Sequence, residues 1–213
     1  MKRNAVRWVL LSDVVGSRHI ADRKQFEKRL ADVLRTVSKR FVSVFETPVQ
    51  VWKGLDETAA LVKEPWRLHE VFDLIDEALA PHTMRFVAVQ GAVDVLPADG
   101  NVAKADGEAF HTAAAEMLEL KRSGLKFRCC TQNPVTDAAW QAQVNMLWLI
   151  KKGWTERQRD IYRLYCETGL QEAVAKELNV VQQTVSKTLK SISATQVQQL
   201  EHMLTEWAQT QLQ

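Results

Sequence analysis

The sequence predicts an α+β protein: a first domain of helices on a mixed sheet over residues 1–131, then an all-helical domain over residues 132–213 centred on a helix-turn-helix. Three observations predict it. Up to Cys130, short β-branched and aromatic runs alternate with longer segments of helical apolar period, which packs helices against a sheet. Beyond Pro134 only the helical period continues. A chain of 213 residues is also long enough for two modest cores.

Residues 6–11 form a compact apolar run containing Trp8, long enough for a buried, central first strand, and it ends at Ser12, Asp13 and Gly16. Over residues 20–41, Phe26, Leu30, Val33, Leu34 and Val37 keep a helical period among charged neighbours, which gives a long amphipathic helix. Residues 42–52 are rich in β-branched and aromatic types and predict a strand, with Pro48 marking an edge or a bulge. Gly54 to Asp56 supplies a turn, and residues 58–62 return as the second arm of a hairpin. Pro65 opens a helix through Trp66, Leu68, Val71, Phe72, Ile75 and Leu79, and Pro81 ends it. Residues 84–95 read as a long strand, with Phe86 and Ala88 on one parity and Val87, Val89 and Val93 on the other. A polar loop over 97–106, a helix over 108–122 and a short strand over 126–130 complete the domain. A connecting helix then begins at Asn133 and Pro134, runs through Trp140, Val144, Leu147, Trp148 and Ile150, and closes at Gly153.

Residues 155–192 organise the second domain. Thr155 is placed as an N-cap, Ile161, Leu164 and Tyr165 recur at helical spacing, and Gly169 stops the helix. Residues 171–178 make a short helix with Ala173, Val174, Ala175 and Leu178 for close packing, broken at Asn179. A third helix over 181–192 buries Val181, Val185, Leu189 and Ile192 and leaves Gln182, Gln183, Thr184, Ser186, Lys187 and Lys190 outside. A major groove admits one α-helix, and amides, hydroxyls and lysines can bond base edges and phosphates there. The run from Glu156 to Ser191 resembles the helix-turn-helix of sigma-factor region 4, with Glu156, Arg157 and Gln158 opening the first helix and Thr184, Val185 and Ser186 opening the recognition helix. The resemblance implies that Gln182, Gln183, Thr184, Ser186 and Lys187 face bases, with Lys190 and Arg157 nearer phosphate. The alternative is three helices that pack on protein alone. In the last helix, over 194–211, Val197, Leu200, Leu204, Trp207 and Gln211 form a seam that either folds back as core or pairs with a second copy.

A composition of 46% hydrophobic and 25% charged residues, with net charge +2, describes a soluble globular chain and excludes the disordered and membrane classes. So small a charge restricts any DNA-binding face to a local patch, and favours a homodimer on double-stranded DNA. Cys129, Cys130 and Cys166 offer neither a paired framework nor metal spacing and suit a reducing cytoplasm. The five histidines show no zinc spacing. Asp13 interrupts the apolar run that follows Met1, Lys2 and Arg3 before a secretory core or a membrane span is complete.

In the first domain Asp13 closes a strand, Asp56 and Glu57 lie at the hairpin turn, and Asp106 precedes a helix. Two carboxylates such as Asp13 and Asp56 suffice to hold Mg²⁺ with a nucleoside triphosphate. The segments SDVVGSR (residues 12–18), GLDE (54–57) and ADGEAFHTA (105–113) resemble the SatD family, which is similar in turn to the ferredoxin-like palm of nucleotide cyclases. By position Asp13, Ser17 and Arg18 carry the first segment, Asp56 and Glu57 the second, and Asp106, Gly107, Ala109 and His111 the third. Leu55 stands in place of the family's hairpin glycine, Thr58 and Ala59 in place of Phe-Gln, and Glu108 in place of a proline. Three roles stand open for this domain: Mg-dependent nucleotidyl cyclase chemistry, binding of a nucleotide or small-molecule effector without turnover, or a purely structural or oligomerising role. The resemblance identifies no catalytic residue. The sequence thus predicts a cytoplasmic DNA-binding transcriptional regulator, with a Mg-dependent nucleotidyl cyclase or nucleotide-binding enzyme of palm-like fold as the alternative.

Overall fold

In the computed structural model, which describes residues 5–54 and 56–213, the first apolar run is the strand β1 (Ala5–Val14). It pairs antiparallel with β3 (Glu57–Val62) on one side and β4 (Met84–Val93) on the other, so it is central. It runs past its expected end at Leu11, because Ser12 and Asp13 meet polar partners across the ladder: Thr58 and Glu57 on β3, and Arg85 opposite Asp13 on β4. The hairpin's other arm is only β2 (Gln50–Lys53), not the whole of residues 42–52. Residues 42–48 form turns joined to β3 by the single bridge Phe45↔Val62, and Thr47 Oγ1 accepts from Leu61 N at 2.9 Å where a ladder carbonyl would otherwise do so. β5 (Phe127–Cys130) lies parallel to β4.

The sheet order is β2-β3-β1-β4-β5. With α1 (Arg23–Arg40) after β1 and α2 (Leu68–Leu79) after β3, the first four strands have the split βαβ topology of ferredoxin-like folds, which α3 (Glu108–Ser123) and β5 extend. One face buries Val9, Leu11, Ala59, Leu61, Val87, Val89 and Val93 against Ala109, Phe110, Ala113, Met117 and Leu120 of α3. α3 comes close because the residues between are small: a Cβ on Gly91 would lie 3.2 Å from that of Ala109. The opposite parity carries Phe86, stacked on Phe72 of α2 at 4.0 Å, and Phe127, edge-on to Trp140 at 4.9 Å. Trp140 in turn meets Trp8 at 5.6 Å.

Trp140 belongs to α4 (Pro134–Lys152), which starts where expected. The chain divides inside that helix, however, into Met1–Asn145 with Trp207–Gln213 and Met146–Glu206, rather than at residues 131–134. Asn145 is the reason. Buried, it accepts at Oδ1 from Lys126 N (2.9 Å) and Phe127 N (3.2 Å) and donates through Nδ2 to Phe127 O (2.9 Å), which ties α4 to β5. Beside it Lys126 is also buried, its Nζ donating to Asp76 Oδ1 (2.6 Å), Thr83 Oγ1 (3.1 Å) and Met84 O (2.9 Å). Burial lowers the Lys126 pKa, with Asp76 opposing.

The second unit holds α5 (Glu156–Thr168), α6 (Gln171–Glu177), α7 (Gln182–Ser191) and the first part of α8 (Ala194–Leu212). Thr155 and Gln158 make a reciprocal capping box at the start of α5, and Gly169 ends it in the left-handed region at φ 68°. Ile161, Leu164, Val174, Ala175, Val185, Leu189 and Ile192 form the interior. Tyr162 is buried in α5, edge-on to Trp154 at 4.8 Å, whereas Tyr165, expected on the apolar face, is half-buried. Val181, expected inside, is 67% exposed, because it is the extended N-cap of α7 and precedes the helix's packed face. No described helix is long and apolar enough to cross a membrane.

Replacing Asn145 by alanine strands two buried backbone N–H groups and one carbonyl. Asn145→Ala is expected to lower unfolding free energy by about 3 kcal/mol, read as a fall in urea midpoint at unchanged slope.

Candidate functional site

On α7 the side chains sort cleanly. Val185 and Leu189 are buried, while Gln182, Gln183, Thr184, Lys187 and Lys190 are exposed and Ser186 is half-buried. Gln182 Nε2 donates to Gln171 Oε1 at 3.0 Å, bringing the N-termini of α6 and α7 together. Arg157 is exposed, but its Nη2 donates to Leu178 O at 3.2 Å and braces α5 against the end of α6. The turn before α7 depends on Asn179 at φ 51°, a left-handed conformation that asparagine tolerates.

In the first unit Asp13 is buried with its charge, and two cations meet it. Lys121 Nζ of α3 lies 2.7 Å from Oδ1, and Arg85 Nη1 of β4 lies 3.5 Å from Oδ2. Glu57, opposite Asp13 on β3, shares Lys121 at 3.6 Å. One residue away, the hydroxyls of Ser12 and Thr58 bond to each other. Asp56 gives its carboxylate to Ser17 Oγ and its carbonyl to Val14 N at 3.1 Å. Arg18 is exposed on the 3₁₀ turn Ser17–His19. Leu55 lies outside the described residues. The first two motif segments are thus brought together as a charge-balanced corner. Lys121 and Arg85, which sequence reasoning missed, supply its cations; the signal was a basic residue in the last turn of α3 and a lone arginine in an apolar strand.

Asp106 does not join this corner. It pairs with the far end of β4, accepting at its carbonyl from Asp94 N (2.9 Å) and Val95 N (3.0 Å), next to where Val93 meets Ala5. Eight residue steps along β1 lead from Ala5 to Asp13, so the two aspartates stand about 26 Å apart along the strand. Gly107 explains this segment structurally: at φ 152° it sits so tightly on β4 that a Cβ would fall 2.6 Å from Ala92 O. Asp106 otherwise meets Gly107 N at 2.9 Å and exposed His111 Nε2 at 3.1 Å.

The expected Mg²⁺ site at Asp13 and Asp56 does not fit this arrangement. A divalent ion needs free, convergent carboxylate oxygens, whereas both of those of Asp13 face a cation, an ammonium and a guanidinium, and one of those of Asp56 accepts from Ser17. Among the described residues no group of three or more His, Cys, Asp or Glu side chains could hold a metal ion. Cys129 is strand core, and burial pushes its thiol pKa up, away from reactivity.

One further cluster lies within the second unit. Tyr162 Oη donates to Glu201 Oε2 of α8 at 2.7 Å, and Lys151 of α4 pairs with Glu201 Oε1. Burial first, and then the Glu201 charge, raise the Tyr162 pKa.

The sequence profile of the SatD family matches residues 8–201. No curated protein matches. Among solved structures, a bacterial light-regulated adenylyl cyclase is similar over 60% of this chain and 43% of its own, at 11% identity and a TM-score of 0.42. The regulator of polyketide synthase expression from Bifidobacterium adolescentis is similar over 95% of this chain and 86% of its own, at 13% identity and a TM-score of 0.27.

Two outcomes follow from the charge clusters. Lys121→Met leaves the buried Asp13 carboxylate with Arg85 alone and is expected to cost on the order of 2 kcal/mol in urea unfolding, less than a fully buried pair because Lys121 is partly hydrated. Asp13→Asn in that background should return part of the loss. For Tyr162, a folded-state pKa above the unfolded value means stability that is complete below about pH 10 and lost as pH rises beyond it. Tyr162→Phe should therefore lower stability at neutral pH by about 1.5 kcal/mol and decline less steeply than the parent in unfolding measured above pH 10.

Proposed function

We propose that this chain, which belongs to the SatD family, is a DNA-binding regulator in which α7 serves as the recognition helix of a helix-turn-helix. The observation that carries the reading is the exposure of Gln182, Gln183, Thr184, Lys187 and Lys190 on one side of α7 while Val185 and Leu189 hold the other side in the interior. A helix of ten residues is about 15 Å long and of a width the major groove accepts, and residues near its N-terminus are the ones such a helix turns to base edges. Gln182, Gln183 and Thr184 occupy that first turn, with Ser186 and Lys187 next; Lys190, a turn further on, suits phosphate. Arg157, already bonded to a carbonyl, would reach phosphate only with its remaining donors. The net charge of +2 gives little long-range attraction, so specific contacts on a two-fold site must supply most of the affinity. The chain acts as a homodimer on duplex DNA, and its first unit serves as the oligomerising or effector-sensing part.

Selection from a random duplex pool, followed by fluorescence anisotropy across a salt series, tests this. The parent should enrich a two-fold sequence and bind it with a steep salt slope. Gln183→Ala with Lys187→Ala should weaken that binding roughly a hundredfold, with an unchanged circular dichroism spectrum and a salt slope reduced by about one. Undiminished binding by the double variant would remove α7 as the reading face.

A further inference from the structure

α1 carries most of the chain's unbalanced charge. Between Arg23 and Arg40 stand seven Lys or Arg residues and two acids, Glu27 and Asp32, a net of +5 against +2 for the whole chain. Beside this helix, within the first unit, lies a groove of about 830 Å³, a volume in the range of small-molecule sites. Its floor is apolar: Phe26 and Val33 of α1 are buried, and Leu74 and Ala78 of α2 are half-buried. Spacings of seven and four residues set each pair on one side of its helix, so the two helices turn apolar sides to a common groove. His82, edge-on to Phe26 at 5.0 Å, adds an aromatic wall.

The charges along the rim decide what the groove can hold. Two carboxylates line it, and both are engaged. Asp22 caps α1, accepting from Gln25 N at 2.9 Å, where the partial positive charge of the helix N-terminus also answers it. Asp32 pairs with Arg35 Nη1 at 2.8 Å. The cations are engaged less. Lys28 is exposed and has no hydrogen-bond or ion-pair partner among the described residues. Arg29 donates through Nε to Ala78 O and through Nη2 to Ala80 O, both at 2.9 Å. Those bonds use one edge of the planar guanidinium and hold it against the end of α2, which leaves Nη1 and the second hydrogen of Nη2 as an open edge. Such an edge matches the two oxygens of a carboxylate or phosphate.

The geometry points to this groove as the binding site of a small amphipathic anion: an apolar body on Phe26, Val33, Leu74 and Ala78, with its carboxylate or phosphate on Lys28 and the open edge of Arg29. A cationic ligand would meet engaged carboxylates and unanswered cations, so charge selects against it. An apolar anion gains from both halves of the site, and Arg29 gives up little side-chain entropy on binding because α2 already holds it. The inference rests on the effector-sensing role proposed for the first unit and gives it a location, and its test needs no DNA.

Fluorescence titration of the full chain with anilinonaphthalene sulfonate, an aromatic body carrying one anionic group, is the test. The parent should bind the probe saturably. Lys28→Gln, at an exposed position, should weaken binding roughly tenfold with the thermal unfolding curve unmoved. Leu74→Glu sets a carboxylate on the apolar floor and should weaken it roughly thirtyfold or more; because that variant can also fail to fold, Leu74→Ala, which suits a helix, should weaken it roughly fivefold. Competitors separate the sources of the anion: octanoate displaces the probe if the ligand is a carboxylate, and adenosine monophosphate does so if it is a phosphate ester. Octanol, with the apolar body and no charge, should compete roughly tenfold less well than the anion that displaces the probe. No saturable binding, binding indifferent to Lys28→Gln and both Leu74 substitutions, or equal displacement by octanol overturns the proposal. A chain that binds the probe but no DNA keeps the groove and removes the DNA-binding reading; one that binds DNA but not the probe does the reverse.

Discussion

The first unit depends on a strand whose stretch from Trp8 to Val14 has no solvent side. β1 is hydrogen-bonded along both edges and covered on both faces, by α3 on one parity and by residues such as Trp140 on the other. This is why Val9, Leu10 and Leu11 run together instead of alternating with polar residues. The same constraint governs Asp13. A carboxylate at the end of such a strand cannot keep its hydration, so a cation has to be brought to it. α3 brings Lys121 and β4 brings Arg85, and the corner that looks in sequence like a row of metal ligands is held by its own salt bridges.

The element order was largely legible in the chain. Apolar period separated helices from strands, and capping signals such as Thr155 with Gln158 and Gly169 fixed the ends of α5. What escaped was set by long-range contact. No local signal shows that Thr47 would replace a ladder carbonyl and shorten the hairpin arm to Gln50–Lys53, or that Asn145 would hold α4 to β5 and move the division of the chain into that helix. The site was legible only in part. The exposed face of α7 follows from its own periodicity, except at Val181, which is exposed because the packed face begins only at Val185. The acidic site depended on register, which sequence spacing does not give. Asp13 and Asp106 sit at opposite ends of the sheet because β4 is antiparallel to β1 and the segment at Asp106 pairs with β4's far end.

In the second unit polar and apolar surfaces are separated with little chain to spare. α6 has seven residues and α7 ten, so each buries only a few side chains; for α6 these are Val174 and Ala175, and for α7 Val185 and Leu189. Such helices are not stable alone, and they persist because α5 closes over them. α5 is itself secured to α8 by the Tyr162–Glu201 hydrogen bond and to α4 through Lys151 on the same carboxylate. A buried hydrogen-bonded cluster of this kind fixes orientation as well as adding stability, because its geometry tolerates little sliding of one helix on another.

That rigidity extends from α7 into α8. The connection is only Ile192 and Ser193: Ile192 is buried, Ser193 adopts φ 52°, and Ser193 O accepts from Val197 N at 3.0 Å to start the next helix. With so short and ordered a link, the polar side of α7 and the apolar side of α8 keep a fixed angle. In the DNA-binding reading proposed above, the separation of two α7 helices would then be set by packing rather than by a flexible tether. A pair of recognition helices can match one helical turn of duplex, about 34 Å, only when their spacing is fixed in this way. The short turn at Ser193 therefore holds the polar side of α7 at a set angle to α8, which is what the DNA-binding reading proposed above asks of two half-sites in a chain of small net charge.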